Sequence, residues 1–247
     1  LYKSAKEYGV TLTNHETIFV PAMTQVIDGY SAMEHGKYTF PVQKDIVQLI
    51  AQSGVNYTPT FMVTPGIKNI YAENTKRDRS KMLNLFGEIL YHNYYAYSYE
   101  FQNNDRQQII NNWSEIGVKE HDRTADNIND IYIANGKLSV GGHGNPLPGL
   151  GTHWELWFMT KGMNRYNALQ AATINGAEKL DLQEETGSIE VEKLADILVL
   201  NSSPLENIFN TIDIFYTIKN GEVYLADDMK KIYPTEDIED KYFTIYE

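Results

Sequence analysis

The stretch VTLTNHETIFVPAMTQVIDG, residues 10–29, decides the fold, because a short, partly apolar run is followed by a helical pattern that ends at a glycine. Three further pairs of a strand pattern and a helical pattern follow it: residues 31–34 with 42–53, residues 56–61 with a long helical region, and residues 137–141 with 153–160. Four such units in series predict parallel strands with crossover helices, either in an open doubly wound sheet or in a barrel.

The chain becomes rich in strand patterns after a helical pattern at residues 164–175, which Asn164 is placed to cap. The dipeptide Asn220-Gly221 stands between two alternating runs and predicts a two-residue hairpin turn, because both turn positions need a positive φ. We therefore expect an α/β domain over residues 1–182 and a small β domain over residues 183–247.

An insertion rich in Tyr and Asn separates the third and fourth units over residues 66–122. It is far longer than an ordinary loop between a strand and a helix, so we expect it to be helical and to serve as a lid. Its tyrosines predict either a stacking surface for a sugar or peptide or packing against their own domain.

The composition excludes several classes of partner and of site. With 42% hydrophobic and 22% charged residues over 247 positions, the chain is typical of globular proteins. Its net charge of −12 repels phosphate backbones and anionic lipid, so we expect neither nucleic acid nor a membrane as a partner. Because cysteine is absent, a metal would need His or carboxylate ligands. The compartment, cytoplasmic or periplasmic and secreted, stays open.

Three of the six histidines, His15, His35 and His143, lie at the ends of predicted strands. The carboxyl ends of parallel strands meet at one rim, where such folds bind their ligands. Neutral imidazole is a good ligand of zinc, and a catalytic zinc site takes three protein ligands and leaves one position for water. The pattern predicts metal-assisted hydrolysis, with three hydrogen-bonded rim histidines as the alternative.

Several segments resemble the amidohydrolase superfamily in consecutive order: TNH (13–15), GYSAMEHG (29–36), YTPT (57–60), ALQAATINGA (168–177), GSIE (187–190) and KLADILVL (193–200). Residues 144–157, GNPLPGLGTHWELW, resemble the branch that is fused behind a TolB-type β-propeller, near the imidazolonepropionase and prolidase-like members. The chain departs from the usual pattern at His143, where most members have a metal-binding aspartate, and at Glu192, where glycine is usual.

The resemblance implies a metal-dependent hydrolase of carbon–nitrogen bonds, in an amide, a cyclic amide or a peptide, with a metal-activated water as the nucleophile. It implies the C-terminal half of a (β/α)8 TIM barrel followed by a small β-sandwich over residues 183–247. One or two divalent ions, zinc above all, would be held by His15 and His35. His143 would be the catalytic residue, and whether it acts as a ligand or as the proton acceptor is left open.

Further groups are candidates for the surroundings of the site. Glu34, His153 and Glu155 are candidates to contact the substrate, a small molecule or peptide, or to support the ligands. His153 is chosen because it begins the predicted helix after the fourth strand, from which it can point back to the rim. The superfamily's remaining ligands would precede Leu1, so we expect a fragment that binds metal weakly and is inactive alone. Its expected partner is the upstream half of the same protein, with the first half of the barrel and a β-propeller. A homo-oligomer is compatible with the sequence, and a non-catalytic binding or scaffold protein is the alternative function.

Overall fold

The computed structural model describes residues 2–15, 18–36, 41–61, 122–142 and 149–234. The first part of the chain contains α1 (Tyr2–Glu7), β1 (Thr13–His15), α2 (Phe19–Asp28), β2 (Ala32–Glu34), α3 (Lys44–Ser53), β3 (Asn56–Tyr57), α4 (122–133), β4 (Lys137–Leu138), α5 (Leu150–Met159), α6 (Arg165–Ala171) and α7 (Ile174–Lys179). The tail contains β5 (Ile197–Leu200), a 3₁₀ helix (Ile208–Ile212), β6 (Ile214–Lys219), β7 (Glu222–Leu225) and β8 (Lys231–Tyr233). Within these described ranges, no helix is long and apolar enough to cross a membrane.

Strands β1 to β4 form one parallel sheet in the order β1-β2-β3-β4. Because this order follows the chain without a reversal, the described strands have the topology of a barrel and not of a doubly wound sheet. The regular strands are shorter than the sequence patterns, but ladder-type hydrogen bonds continue beyond β3 and β4. The amide of Thr58 donates to the carbonyl of Met33 at 2.9 Å, and the amide of Ser139 donates to the carbonyl of Tyr57 at 3.1 Å.

The two faces of the parallel sheet differ in polarity. Met33, Tyr57 and Leu138 lie on one face and are buried in a single hydrophobic cluster with apolar side chains of α2, α3 and α4. Burial of a large apolar side chain contributes about 1.5–3 kcal/mol to folding. Because side chains alternate along a strand, the residue after each of these three, such as Glu34, lies on the opposite face. The sheet therefore has an apolar face toward the helices and a polar face away from them.

The helix ends follow the sequence signals with one exception. Gly29 ends α2 with φ 92° and Gly54 ends α3 with φ 76°, both left-handed positions that glycine occupies without strain. The predicted helix at 164–175 is wrong, since it is two helices, α6 and α7. The chain leaves helical geometry at Thr173 (φ −129°, ψ −98°), whose hydroxyl donates to the carbonyl of Leu169 at 2.7 Å.

The tail forms a four-stranded antiparallel sheet in the order β5-β6-β7-β8. Asn220 (φ 52°) and Gly221 (φ 83°) make the turn between β6 and β7, so the predicted hairpin is confirmed. These four strands are the part of the predicted β-sandwich that lies within the described residues. The division of the chain at Leu182 stays a prediction, and the insertion at 66–122 lies outside the described residues apart from its last position.

Contacts between α5 and the 3₁₀ helix connect the tail to the rest of the chain. The indole nitrogen of Trp157 donates to Oγ1 of Thr211 at 2.8 Å, and the Trp157 ring packs edge-to-face on Phe209 with centroids 4.7 Å apart. Ile208 belongs to the same buried cluster as the helix-facing side chains of the parallel sheet. The tail therefore shares part of its core with the α/β region.

Candidate metal centre

His15 and His35 lie side by side at the carboxyl ends of two neighbouring strands. His15 is the last residue of β1, and His35 directly follows β2. Their ring centroids are 4.2 Å apart and the ring planes meet at 63°, an edge-to-face arrangement. His15 is exposed, whereas His35 is half-buried and its Nδ1 lies inside the protein. The topology thus brings together two of the histidines chosen from the sequence, and their role as ligands stays a prediction.

Two imidazoles at the carboxyl ends of neighbouring strands are suitable ligands for a divalent ion such as zinc. They would form part of the ligand set, because a catalytic zinc site normally has three protein ligands. In the part of the chain that the structure describes, no group of three or more His, Cys, Asp or Glu side chains is placed to hold an ion. His143 lies outside the described residues. It follows Gly142, which packs so closely against the Thr152 hydroxyl of α5 that a side chain has no room there.

The backbone at His35 is held in an unusual conformation. Its φ of 60° is left-handed, which costs a residue with a Cβ about 1–2 kcal/mol. The next residue, Gly36, donates its amide to the carbonyl of Thr58 at 2.9 Å and packs directly against the Tyr57 ring. Strained residues that are held by their surroundings cluster at functional sites, so this conformation agrees with a functional role for the histidine.

Glu34, a candidate substrate or supporting residue, is engaged in an ion pair beside the histidines. The ammonium of Lys179 lies 2.6 Å from Oε1 and 2.7 Å from Oε2 of this carboxylate, and the hydroxyl of Thr13 donates to Oε1 at 2.6 Å. Burial raises the pKa of Glu34, but the hydrogen bonds from Lys179 and Thr13 and the lysine charge outweigh it and lower the pKa below its usual value. Glu34 is therefore a carboxylate at neutral pH.

A chain of polar contacts continues from this ion pair across the polar face of the sheet. Lys179 also donates to Oγ1 of Thr58 at 2.9 Å, and Thr58 lies within 2.8 Å of the Ser139 hydroxyl. Ser139 in turn donates to Oδ1 of Asn56 at 2.6 Å. The sequence analysis did not identify Lys179, because it lies 145 residues from Glu34 and no local pattern joins the two.

The two remaining candidates lie in α5. Glu155 is fully buried, and its Oε2 accepts the backbone amide of Phe61 at 2.7 Å, so it anchors the chain beyond β3 to the helix. Burial lowers the pKa of His153 to about 4, which makes this imidazole neutral at pH 7. Their proposed contacts with a substrate stay predictions.

The profile of the amidohydrolase family matches residues 2–224 of the 247. The chain belongs to the amidohydrolase family. Its motif-based resemblance to this family is therefore confirmed. An imidazolonepropionase from Symbiobacterium thermophilum is 48% identical over 44 residues, which are 18% of this amidohydrolase chain and 10% of the relative. The fusion to a β-propeller stays a prediction.

Solved structures share the fold of this amidohydrolase. A Xaa-Pro dipeptidase with methionine bound in its active site has a TM-score of 0.61 and 23% identity, over 90% of this chain and 47% of that one. A putative prolidase from Bifidobacterium longum has a TM-score of 0.62 and 20% identity, over 94% of this chain and 51% of that one. The chain thus spans about half the length of these structures, and the predicted fold class, half of a TIM barrel with a small β tail, is confirmed.

Proposed function

We propose that this chain carries half of the active site of a metal-dependent hydrolase that cleaves carbon–nitrogen bonds in an amide, a cyclic amide or a peptide. The observation that carries the proposal is the contact between the rings of His15 and His35 at the carboxyl ends of adjacent parallel strands. Membership of the amidohydrolase family supports the same chemistry. So do the names of two similar proteins, a Xaa-Pro dipeptidase and an imidazolonepropionase.

In this proposal the strand ends supply the binding groups. His15 and His35 hold one or two divalent ions, and zinc matches a pair of imidazoles best. Such an ion, when bound, lowers the pKa of a water molecule and polarises the carbonyl of the substrate. His143 serves as a further ligand or accepts the proton of the attacking water. The Tyr-rich insertion at residues 66–122 closes over the substrate, a small molecule or peptide.

The groups around the pair have different parts in the proposal. Glu34 has both carboxylate oxygens bound to Lys179, so it supports the strand ends and is not a ligand. Glu155 anchors the chain after β3 through the amide of Phe61. His153 is neutral at pH 7, so it can accept a hydrogen bond from a substrate but carries no charge to attract one.

Zinc affinity tests the proposal. Calorimetric titration with zinc at equilibrium measures the affinity of the wild-type protein and of the His15→Ala and His35→Ala variants, and it also detects weak binding. Each substitution removes a proposed ligand. We therefore expect the zinc affinity to fall by more than about ten-fold. A loss of about ten-fold is already usual when a group that only supports a ligand is removed.

Tyr166→Ala is the control, because this exposed side chain lies on α6 and not at the strand ends that carry the two histidines. Its zinc affinity should equal that of the wild type. Equal zinc affinity in the wild type and in His35→Ala would contradict the proposal and favour the non-catalytic binding protein.

A further inference from the structure

We propose that Lys179 is a positioning residue for the candidate metal centre, because its ion pair with Glu34 sets the relative placement of His15 and His35. The part of this inference that concerns metal affinity rests on the proposed function. The part that concerns the placement of the two rings does not, and it can be tested on the metal-free protein.

The argument begins with the location of Glu34. It directly precedes His35 in the chain, and the parallel register pairs it with His15 on the neighbouring strand. A displacement of this one residue therefore reaches both histidines, one through the backbone and the other through the strand pairing.

The carboxylate of Glu34 joins the two strands. The hydroxyl of Thr13 on β1 donates to Oε1 at 2.6 Å, so β1 and β2 are tied through side chains as well as through the ladder. Lys179 binds the same carboxylate, at 2.6 Å and 2.7 Å from its two oxygens. Both oxygens are thus engaged by hydrogen bonds within the protein.

Lys179 also holds the segment on the other side of His35. Its ammonium donates to Oγ1 of Thr58 at 2.9 Å, and the carbonyl of Thr58 accepts the amide of Gly36 at 2.9 Å. One ammonium group therefore connects the residue before the left-handed His35 to the strand that binds the residue after it.

Helix α7 provides a fixed base for this lysine. Asn175 donates its side-chain amide to the carbonyl of Leu138 at 2.9 Å, and its own carbonyl accepts from Nδ2 of Asn56 at 3.2 Å. The helix is thus bonded to β3 and β4, while Lys179 reaches toward β2. The side chain of Lys179 is only 15% exposed and that of Glu34 only 23%, so water competes weakly for this ion pair.

The test uses Lys179→Met, which keeps the length of the side chain and removes its charge. Lys137→Met is the matched control. Lys137 is exposed and pairs at 2.9 Å with Glu178, which lies next to Lys179 on α7, so this ion pair does not include the carboxylate beside the histidines. Lys179→Arg tests rescue, because a guanidinium can bind a carboxylate through two parallel hydrogen bonds.

The first readout is the nuclear Overhauser effect between the ring protons of His15 and His35 in the metal-free chain. Rings with centroids 4.2 Å apart should give a clear cross-peak in the wild type. We expect this cross-peak to persist in Lys137→Met, to lose most of its intensity in Lys179→Met and to recover in Lys179→Arg. A merely structural ion pair would change the melting temperature without changing the cross-peak.

The second readout is the zinc affinity by calorimetric titration. We expect Lys179→Met to bind zinc about ten-fold more weakly than the wild type, as is usual when a group that orients a ligand is removed. If the wild type itself binds no zinc through His35, the proposed function fails, and the cross-peak still decides the positioning role. If His35→Ala weakens zinc binding and Lys179→Met does not, the positioning role fails alone.

An unchanged cross-peak in a folded Lys179→Met protein overturns the inference. Should circular dichroism show that this variant does not fold, Thr13→Val replaces it, because that change removes one hydrogen bond to Glu34 and preserves the shape of the side chain. We expect a partial loss of the cross-peak in Thr13→Val, and full intensity there would again overturn the inference.

Discussion

Glu192 occupies a backbone position that suits glycine. It lies in the exposed turn before β5 with φ 74°, where a Cβ costs about 1–2 kcal/mol. Glycine removes this cost but gains freedom in the unfolded chain, which offsets part of the benefit. We expect Glu192→Gly to raise the free energy of unfolding by up to about 1 kcal/mol in urea titrations. Glu192→Ala keeps the Cβ and should give no gain, and an equal gain from both would contradict the backbone explanation.

His153 should make the folded state sensitive to acid. Burial lowers its folded pKa to about 4 from an ordinary value of 6.5, so between these values the unfolded chain binds more protons. The stability associated with His153 is therefore present above pH 6.5 and is lost as the pH falls toward 4. Each unit of pKa difference corresponds to about 1.4 kcal/mol at most.

Urea titrations at pH 7, 6, 5 and 4 measure this loss. His153→Gln cannot take up the proton, so its free energy of unfolding should fall less over this range than that of the wild type. Parallel pH profiles for the two proteins would show that the imidazole is not titrating differently in the folded and unfolded states.

The elements that the sequence predicted well depend on local rules. Gly29 and Gly54 end their helices where the apolar periodicity stops, and Asn220-Gly221 makes the hairpin. Each of these features depends only on the φ angles of the residues that form it, so the local sequence is enough to predict it. The break at Thr173 was missed because a threonine hydroxyl bonding to an earlier carbonyl is also tolerated inside helices.

The candidate site was predictable where topology alone places a residue. His15 and His35 follow consecutive parallel strands, so the rule that strand ends share a rim was enough to bring them together. The bond from Glu155 to the amide of Phe61 and the ion pair between Glu34 and Lys179 depend on how α5 and α7 pack on the sheet. Side-chain contacts between elements so distant in sequence have no local pattern to reveal them.

At the scale of the whole molecule, the two sheets should unfold together despite the division predicted at Leu182. Ile208 of the tail lies in the hydrophobic cluster that also covers the parallel sheet, and Trp157 of α5 donates to Thr211 beside it. Opening the tail alone would expose the side chains of Ile208 and Trp157 to water, and loss of this burial costs about 1.5–3 kcal/mol for each large apolar side chain. The shared core therefore favours one cooperative transition.

Native-state hydrogen exchange in increasing urea measures this cooperativity strand by strand. The slowest amides of β2 in the parallel sheet and of β6 in the tail should converge on the same opening free energy and the same dependence on urea. Helix α1 is the internal control, because none of its residues is buried and its amides should exchange through a smaller opening. If β6 opened at a distinctly lower free energy than β2, the contacts of Ile208 and Trp157 would be too weak to couple the tail to the α/β region. The boundary at Leu182 would then separate two independent folding units.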